Sequence, residues 1–253
     1  LSEPGFSHQQ ATVLALAGIG EKTFPFFPEI ARKVRKETYN VSVNGVHLND
    51  AFKKFAEAYS SHLSELVRLL KDPDSGVQVF AAATLGYMGG KAASTVPDLV
   101  PLFKSKDEFV LEKTARALAR IAEDSAIVFN NLKEYLQSED PDIRRGAVDV
   151  IYWIDVTLRE EIWKYAGVSH SLPWPGGAPL LSPELSRRRR SLITIGPALI
   201  PLLSDPDASV RQRMAQVLPY ADFFVWLDEP TKKEAVRGLL KILEDPVASV
   251  RAT

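Results

Sequence analysis

The chain contains the stretch Asp74-Ser75-Gly76-Val77, and 33 residues later its counterpart is Asp107-Glu108-Phe109-Val110. After another 33 residues, Asp140-Pro141-Asp142-Ile143 takes the same place, and further copies begin at Asp207 and Asp245. A repeat of this length is typical of an array of helix pairs, because each pair is too small to bury its own apolar face and must stack on its neighbours. The sequence therefore predicts an all-α fold, a right-handed α-solenoid of about six to seven helix pairs.

Two segments break this regularity. Apolar and polar residues alternate on both sides of Asn44-Gly45, so a small inserted β-hairpin is predicted near residues 41–48. The stretch Pro173-Trp174-Pro175-Gly176-Gly177 cannot continue a helix. We therefore predict an irregular loop near residues 167–182.

These breaks suggest how one solenoid over residues 1–253 is organised. Irregular N-terminal repeats with the hairpin occupy 1–61, regular repeats 62–166, an insertion 167–190 and C-terminal repeats 191–253. The last copy stops one turn into its second helix, where a terminal repeat would need a polar cap. We therefore expect the sequence to be a fragment of a longer protein.

Composition narrows the class of protein. The 253 residues are 45% hydrophobic and 25% charged, with a formal net charge of −1 and no cysteine. No apolar run reaches the roughly 18 residues of a membrane helix, and near-neutral charge argues against nucleic-acid binding. Without cysteine, disulfides and thiolate metal sites are excluded. We expect a soluble, cytoplasmic protein without a membrane or nucleic-acid partner.

Two stretches resemble HEAT repeats: Leu202-Leu203-Ser204-Asp205-Pro206-Asp207-Ala208-Ser209-Val210-Arg211 and Leu243-Glu244-Asp245-Pro246-Val247-Ala248-Ser249-Val250-Arg251. Ala81-Ala82-Ala83-Thr84-Leu85-Gly86-Tyr87-Met88-Gly89 is similar to that family's second helix, and the short period is most similar to PBS-lyase-type (armadillo-like) HEAT repeats. The resemblance implies an α-solenoid whose repeats are often joined by a ladder of Asp and Arg. The arginine is present at Arg144, Arg211 and Arg251, whereas Gln78 and Leu111 depart from it.

Catalytic chemistry is poorly represented. A resemblance to deoxyhypusine hydroxylase, a di-iron HEAT enzyme, would require His-Glu pairs, but the four histidines precede Gln9, Leu48, Leu63 and Ser171. No HExxH, CxxC or phosphate-binding glycine motif occurs. We predict that the chain is not an enzyme and holds no metal or cofactor.

Two enzymatic alternatives remain. HEAT-like DNA glycosylases combine a Trp and a catalytic Asp on one helix of a basic surface, and Asp149 and Trp153 share a helix face here in the opposite order. The PBS-lyase-type resemblance implies the other alternative, a lyase or chaperone-like protein acting on a chromophore-bearing partner.

A binding surface is predicted by numbering each second helix from its Val or Ile. The buried positions cluster on one arc at about 100° per residue, and offsets 6 and 10 lie on the opposite side. Residues at these two offsets should line the concave face of the array, namely Tyr87, Arg120, Trp153 and Tyr220 at offset 10, with Arg116 and Asp149 at offset 6. Tyr, Trp and Arg are enriched at binding hot spots. The alternative is that the aromatic residues fill grooves between helices.

Possible further contacts lie near the insertion. Trp174 stands in the predicted loop, where function often concentrates, and Arg188 and Arg189 belong to a run of four arginines that could meet an acidic partner. The alternative for the arginines is a solvated helix face. The function predicted from the sequence is a non-catalytic scaffold or adaptor that binds a protein or peptide on its concave surface.

Overall fold

The computed structural model of the chain describes residues 4–34, 42–43, 46–124, 126–166, 182–218 and 227–252. The chain divides into two compact units, Leu1–Ser125 and Ala126–Thr253, here called unit 1 and unit 2.

Unit 1 is built from α-helices joined by short 3-10 helices. Its α-helices are α1 (Pro4–Ile19), α2 (Phe27–Lys33), α3 (Leu48–Ala58), α4 (Leu63–Leu69), α5 (Ser75–Tyr87), α6 (Val96–Leu99) and α7 (Glu108–Asp124). Its 3-10 helices are Gly20–Phe26, Gly89–Thr95 and Val100–Lys104. Helix α5 packs on α3 and on α7. Helices α5 and α7, whose starts are 33 residues apart, are therefore neighbours, as the repeat predicts.

Unit 1 also contains two short strands, β1 (Ser42–Val43) and β2 (Val46–His47). They pair antiparallel, with Ser42 opposite His47 and Val43 opposite Val46. They fall within the stretch 41–48 for which the sequence predicts a hairpin. The connecting residues Asn44 and Gly45 lie outside the described residues, so the turn itself stays a prediction.

Unit 2 continues the helical pattern. Its α-helices are α8 (Ile127–Leu136), α9 (Pro141–Ala166), α10 (Pro183–Ile195), α11 (Ala208–Val217), α12 (Glu229–Leu243) and α13 (Ala248–Arg251). A 3-10 helix, Gly196–Ser204, follows α10. Helix α11 packs on α9 and on α13, and α8 packs on α9. Of the predicted loop near 167–182, residues 167–181 lie outside the described residues, and Ser182 caps α10.

The repeated aspartates start the second helices. Asp74 Oδ1 accepts the backbone N–H of Gly76 at 2.8 Å, and Asp107, Asp140 and Asp207 each accept the N–H two residues on, at 3.0, 3.0 and 2.8 Å. An aspartate at this position satisfies helix N–H groups that have no partner inside the helix. The 33-residue period is therefore a period of helix starts.

The turn before each second helix is stabilised by another side chain, two residues before the capping position. The N–H of Asp74 bonds to Asp72, and equivalent bonds join Asp107 to Ser105, Asp140 to Ser138, Asp207 to Asp205 and Val247 to Asp245. Local bonds of this kind favour a turn over a continuing helix. They separate the two helices of each pair.

The cores of the two units differ in character. In unit 1 the largest fully buried side chains include the aromatic residues Phe27, Phe52, Phe55, Tyr59 and Phe80. In unit 2 the buried core is mainly aliphatic, with Leu132, Ile154, Leu158, Leu192 and Val210 each at most 1% exposed. Both cores hold the apolar side of each second helix, and α5 is buried on all sides from Val79 to Gly86.

The Asp–Arg ladder exists in unit 2. Arg144 donates two bonds of 2.7 Å to Asp205, and Arg211 donates bonds of 2.6 and 2.9 Å to Asp245. Each of these arginines also bonds the carbonyl six residues before it. In unit 1, Gln78 makes only that local bond, to the Asp72 carbonyl at 2.9 Å, and Leu111 is buried.

Candidate functional site

Helices α5 and α7 carry the first predicted cluster. Arg120 Nη2 donates to the Tyr87 hydroxyl at 3.0 Å, and the Arg120 guanidinium carbon lies 4.1 Å from the centre of the Tyr87 ring. The Tyr87 ring also lies parallel to Phe52, with ring centres 5.9 Å apart. Tyr87 thus packs in the groove between α3 and α7 and remains half-buried. Burial raises the pKa of its hydroxyl above the ordinary value.

Two further cations lie along α7. Glu112 Oε1 accepts from Lys113 Nζ at 3.2 Å and pairs with Arg116 Nη2 at 2.9 Å. Lys113 is buried, its ammonium lies 4.8 Å from the Phe109 ring, and burial, followed by the charge of Arg116, lowers its pKa. Lys113 and Arg116 therefore both contact Glu112.

Lys113 was not among the residues singled out from the sequence, although helix geometry could have found it. Counted from Val110, it is at offset 3, and at about 100° per residue this direction lies beside those of Arg116 and Arg120. We call the set Tyr87, Lys113, Arg116 and Arg120 the α7 face.

Unit 2 carries a second predicted cluster, around Asp149 and Trp153 on α9. Asp149 is buried and forms an ion pair with Arg213 of α11. The Arg213 guanidinium lies 5.9 Å from the centre of the Tyr152 ring, and Tyr152 meets Trp153 edge to face at 5.1 Å. Trp153 is half-buried. Arg213 and Tyr152 were missed by the sequence analysis, although Arg213 stands at the same offset in α11 as Lys113 in α7.

Two predicted residues, Tyr220 and Trp174, lie outside the described residues. Their contacts stay predictions. The proposed continuation of one outward stripe from Tyr87 and Arg120 to Trp153 also stays a prediction, since these residues belong to different units.

The structure corrects the predicted partner contact at Arg188. This residue lies within α10, is 3% exposed, and donates to Glu161 at 2.8 Å and to the Thr157 hydroxyl at 3.3 Å. One residue in a run of four must point inward, because successive side chains are about 100° apart around a helix. Arg189 is half-buried, and its predicted contact is untested.

The described residues were searched for a metal centre. Across these residues no group of three or more His, Asp and Glu side chains is placed to hold an ion. The buried carboxylates Asp205 and Asp245 are bonded to arginine. In the same parts of the chain, no helix combines the length and the apolar character needed to cross a membrane.

Comparisons with known proteins were made for sequence and for structure. The family model described as HEAT repeats matches residues 63–152. No match was found among curated protein sequences.

Three solved structures illustrate the structural likeness. A computationally designed armadillo repeat protein for modular peptide recognition is 17% identical, with a TM-score of 0.42 over 96% of this chain and 95% of that one. A designed armadillo repeat protein in complex with the peptide (KR)4 is 16% identical, with a TM-score of 0.41 over 95% and 94%. An engineered protein is 21% identical, with a TM-score of 0.39 over 100% and 89%.

The matched segment, residues 63–152, includes α5, α7 and the start of α9, whose Asp-capped starts recur at the 33-residue period. Over residues 63–152 the chain therefore carries HEAT repeats.

Proposed function

We propose that the chain is a non-catalytic scaffold or adaptor that binds a protein or peptide, with the α7 face as the principal contact. Residues of the types found there are common at binding hot spots, because they bury a large area and keep polar anchors. In this proposal the repeats form a right-handed solenoid. Asp149 and Trp153 of unit 2 also contribute to partner binding. The protein acts in the cytoplasm.

The observation that carries the proposal is the Arg120–Tyr87 stack. The guanidinium is held by a hydrogen bond and by the ring, so little side-chain freedom remains to be lost when a partner binds. Tyr87 and Arg120 are only half-buried, so the stack is accessible from outside. A preformed and accessible arginine is suited to a planar carboxylate.

The charges along α7 indicate the chemistry of the partner. Lys113 and Arg116 share Glu112, and Arg120 stacks on an aromatic ring. Burial, followed by the charge of Arg116, lowers the pKa of Lys113, and an additional carboxylate would offset the repulsion between these two cations. We therefore propose that the bound segment presents Asp or Glu side chains to the α7 face.

A pull-down from the native cell, with the full chain as bait, tests this function. We expect a colourless protein in stoichiometric amount, retained by wild type and by Arg68→Ala but lost with Arg120→Ala. Arg68 is the control, since it is an exposed arginine of the same unit on α4. Equal capture by both variants would refute the assignment of the α7 face. Capture of a pigmented protein with transfer of its absorbance would instead favour the lyase alternative.

A further inference from the structure

A cleft in unit 2 lies away from the second helices. It is lined by residues of α8 and α10 and by Pro197 and Ala198 of the 3-10 helix that follows α10. Its volume is about 740 Å³, which is within the range of ligand sites in proteins. We call it the α8–α10 cleft.

The charged side chains that line this cleft are positive. Lys133, Arg187 and Arg190 line it, and none of its described lining residues is Asp or Glu. Glu184, one turn before Arg187, binds that guanidinium with bonds of 2.6 and 3.1 Å and so fixes its position. Lys133 and Arg190 are exposed. The α8–α10 cleft therefore attracts anions.

The other lining residues favour a peptide over a small anion. Asn130, Lys133 and Gln137 follow one another at spacings of three and four along α8, so they form one stripe. The side-chain amides can hydrogen-bond a peptide backbone. Phe129 and Ile195 add an apolar floor.

The length of the stripe sets the size of the occupant. From Phe129 to Gln137 the helix rises by about 12 Å, which accommodates about four residues of an extended chain. Lys133 and Arg190, together with Arg187 whose charge Glu184 partly offsets, suit a segment rich in Asp or Glu.

We propose that the α8–α10 cleft binds an extended acidic peptide segment of a partner protein. This is a second interaction surface, in a different unit from the α7 face, and it requires no contact with the residues of that face. Loss of function at one surface would therefore leave the other proposal untouched.

Fluorescence anisotropy with full-length protein tests the proposal. The probe is fluorescein-labelled Glu-Glu-Phe-Glu-Glu, with Gln-Gln-Phe-Gln-Gln as the neutral counterpart. We expect the acidic peptide to bind at least about tenfold more tightly than the neutral one, and added salt should weaken binding. Equal affinity for the two peptides would overturn the proposal.

Charge reversal separates the cleft from general electrostatics. Lys133→Glu combined with Arg190→Glu should weaken binding of the acidic peptide by at least about tenfold. The matched control is Lys233→Glu with Arg237→Glu on α12, which makes the same change in net charge at exposed sites of the same unit. An equal loss in the two double variants would show non-specific attraction and refute the proposal.

A neutral variant guards against misfolding of the charge-reversed protein. Thr194→Trp introduces a large ring at an exposed lining position of α10 without a change in charge. We expect it to weaken binding by at least about fivefold while its circular dichroism spectrum stays that of wild type. Unchanged affinity in the folded Thr194→Trp protein would place the peptide elsewhere.

Discussion

Replacing Gly86 by alanine tests how closely α5 and α7 pack, and therefore how the Tyr87–Arg120 stack is held. A Cβ atom on Gly86 would lie 2.6 Å from Ala117 Cα, 2.9 Å from Ala117 Cβ and 3.3 Å from the Ala117 carbonyl oxygen. Two of these are backbone atoms, which cannot rotate away. To restore an ordinary carbon contact, the two helices must move apart by about 1 Å.

The expected loss of stability follows from two opposing contributions. Overpacking of this kind costs about 1–3 kcal/mol, whereas alanine gains about 0.5–1 kcal/mol over glycine within a helix. Gly86→Ala should therefore lower the free energy of unfolding by about 1–2 kcal/mol. Urea unfolding followed by circular dichroism measures this change.

Gly18→Ala is the matched control in the same unit. Gly18 lies within α1, and no described heavy atom outside its own stretch of helix comes within 4 Å of a Cβ built there. This variant should gain up to about 1 kcal/mol. If Gly86→Ala proves as stable as Gly18→Ala, then glycine at position 86 is not required for the close approach of α5 and α7. That result would refute the reasoning.

Three further predictions concern charged groups. Asp205→Asn should lower the free energy of unfolding by about 2–4 kcal/mol, because it leaves the buried Arg144 without its carboxylate. The control Asp142→Asn, at an exposed ion pair, should cost less than about 0.5 kcal/mol. Similar losses for the two variants in urea unfolding would contradict this prediction. The hydrogen bond from Arg211 lowers the pKa of Asp245 in the folded protein. The contribution of the Asp245 carboxylate to the free energy of unfolding is therefore complete above the unfolded carboxyl pKa of about 3.9, and it is lost as the pH falls through the lower folded pKa. Melting temperatures of Asp245→Asn should consequently fall less steeply in acid than those of wild type, and parallel curves would refute the linkage. Burial lowers the pKa of Lys113, so Lys113→Met should not reduce the free energy of unfolding at pH 7. As the pH rises towards about 10.4, the stability of wild type should increase relative to that of Lys113→Met. A loss of more than about 1 kcal/mol in Lys113→Met at pH 7 would contradict this prediction.

The helix starts could be predicted from the sequence because their cause is local. Asp74, Asp107, Asp140 and Asp207 each bond a backbone N–H two residues on, so the same residue type must recur wherever a second helix begins. A period in the sequence is then directly a period in the structure. The packing of α5 on α7 follows from it.

The contacts of the outward residues could not be predicted in the same way, since their partners lie far along the chain. Asp149 pairs with Arg213, which is 64 residues later, and Arg188 reaches Glu161, which is 27 residues earlier. Offsets along one helix give the direction of a side chain, but they do not give the residue that meets it. For that reason Asp149 was identified without its arginine, and Arg188 was placed among exposed residues although it is buried.

The α7 face as a partner surface is tested most directly by the affinity of the captured protein for Arg120→Ala and for Arg68→Ala. Isothermal titration calorimetry gives the dissociation constants, and urea unfolding gives the stability of both variants. We predict that Arg120→Ala weakens binding by at least about thirtyfold, as loss of a hot-spot residue does, with the stability of the chain lowered by no more than about 1 kcal/mol. Arg68→Ala should bind as wild type does. Unchanged affinity of Arg120→Ala, together with a sharp loss of stability, would show that Arg120 and Tyr87 only fill the groove between helices.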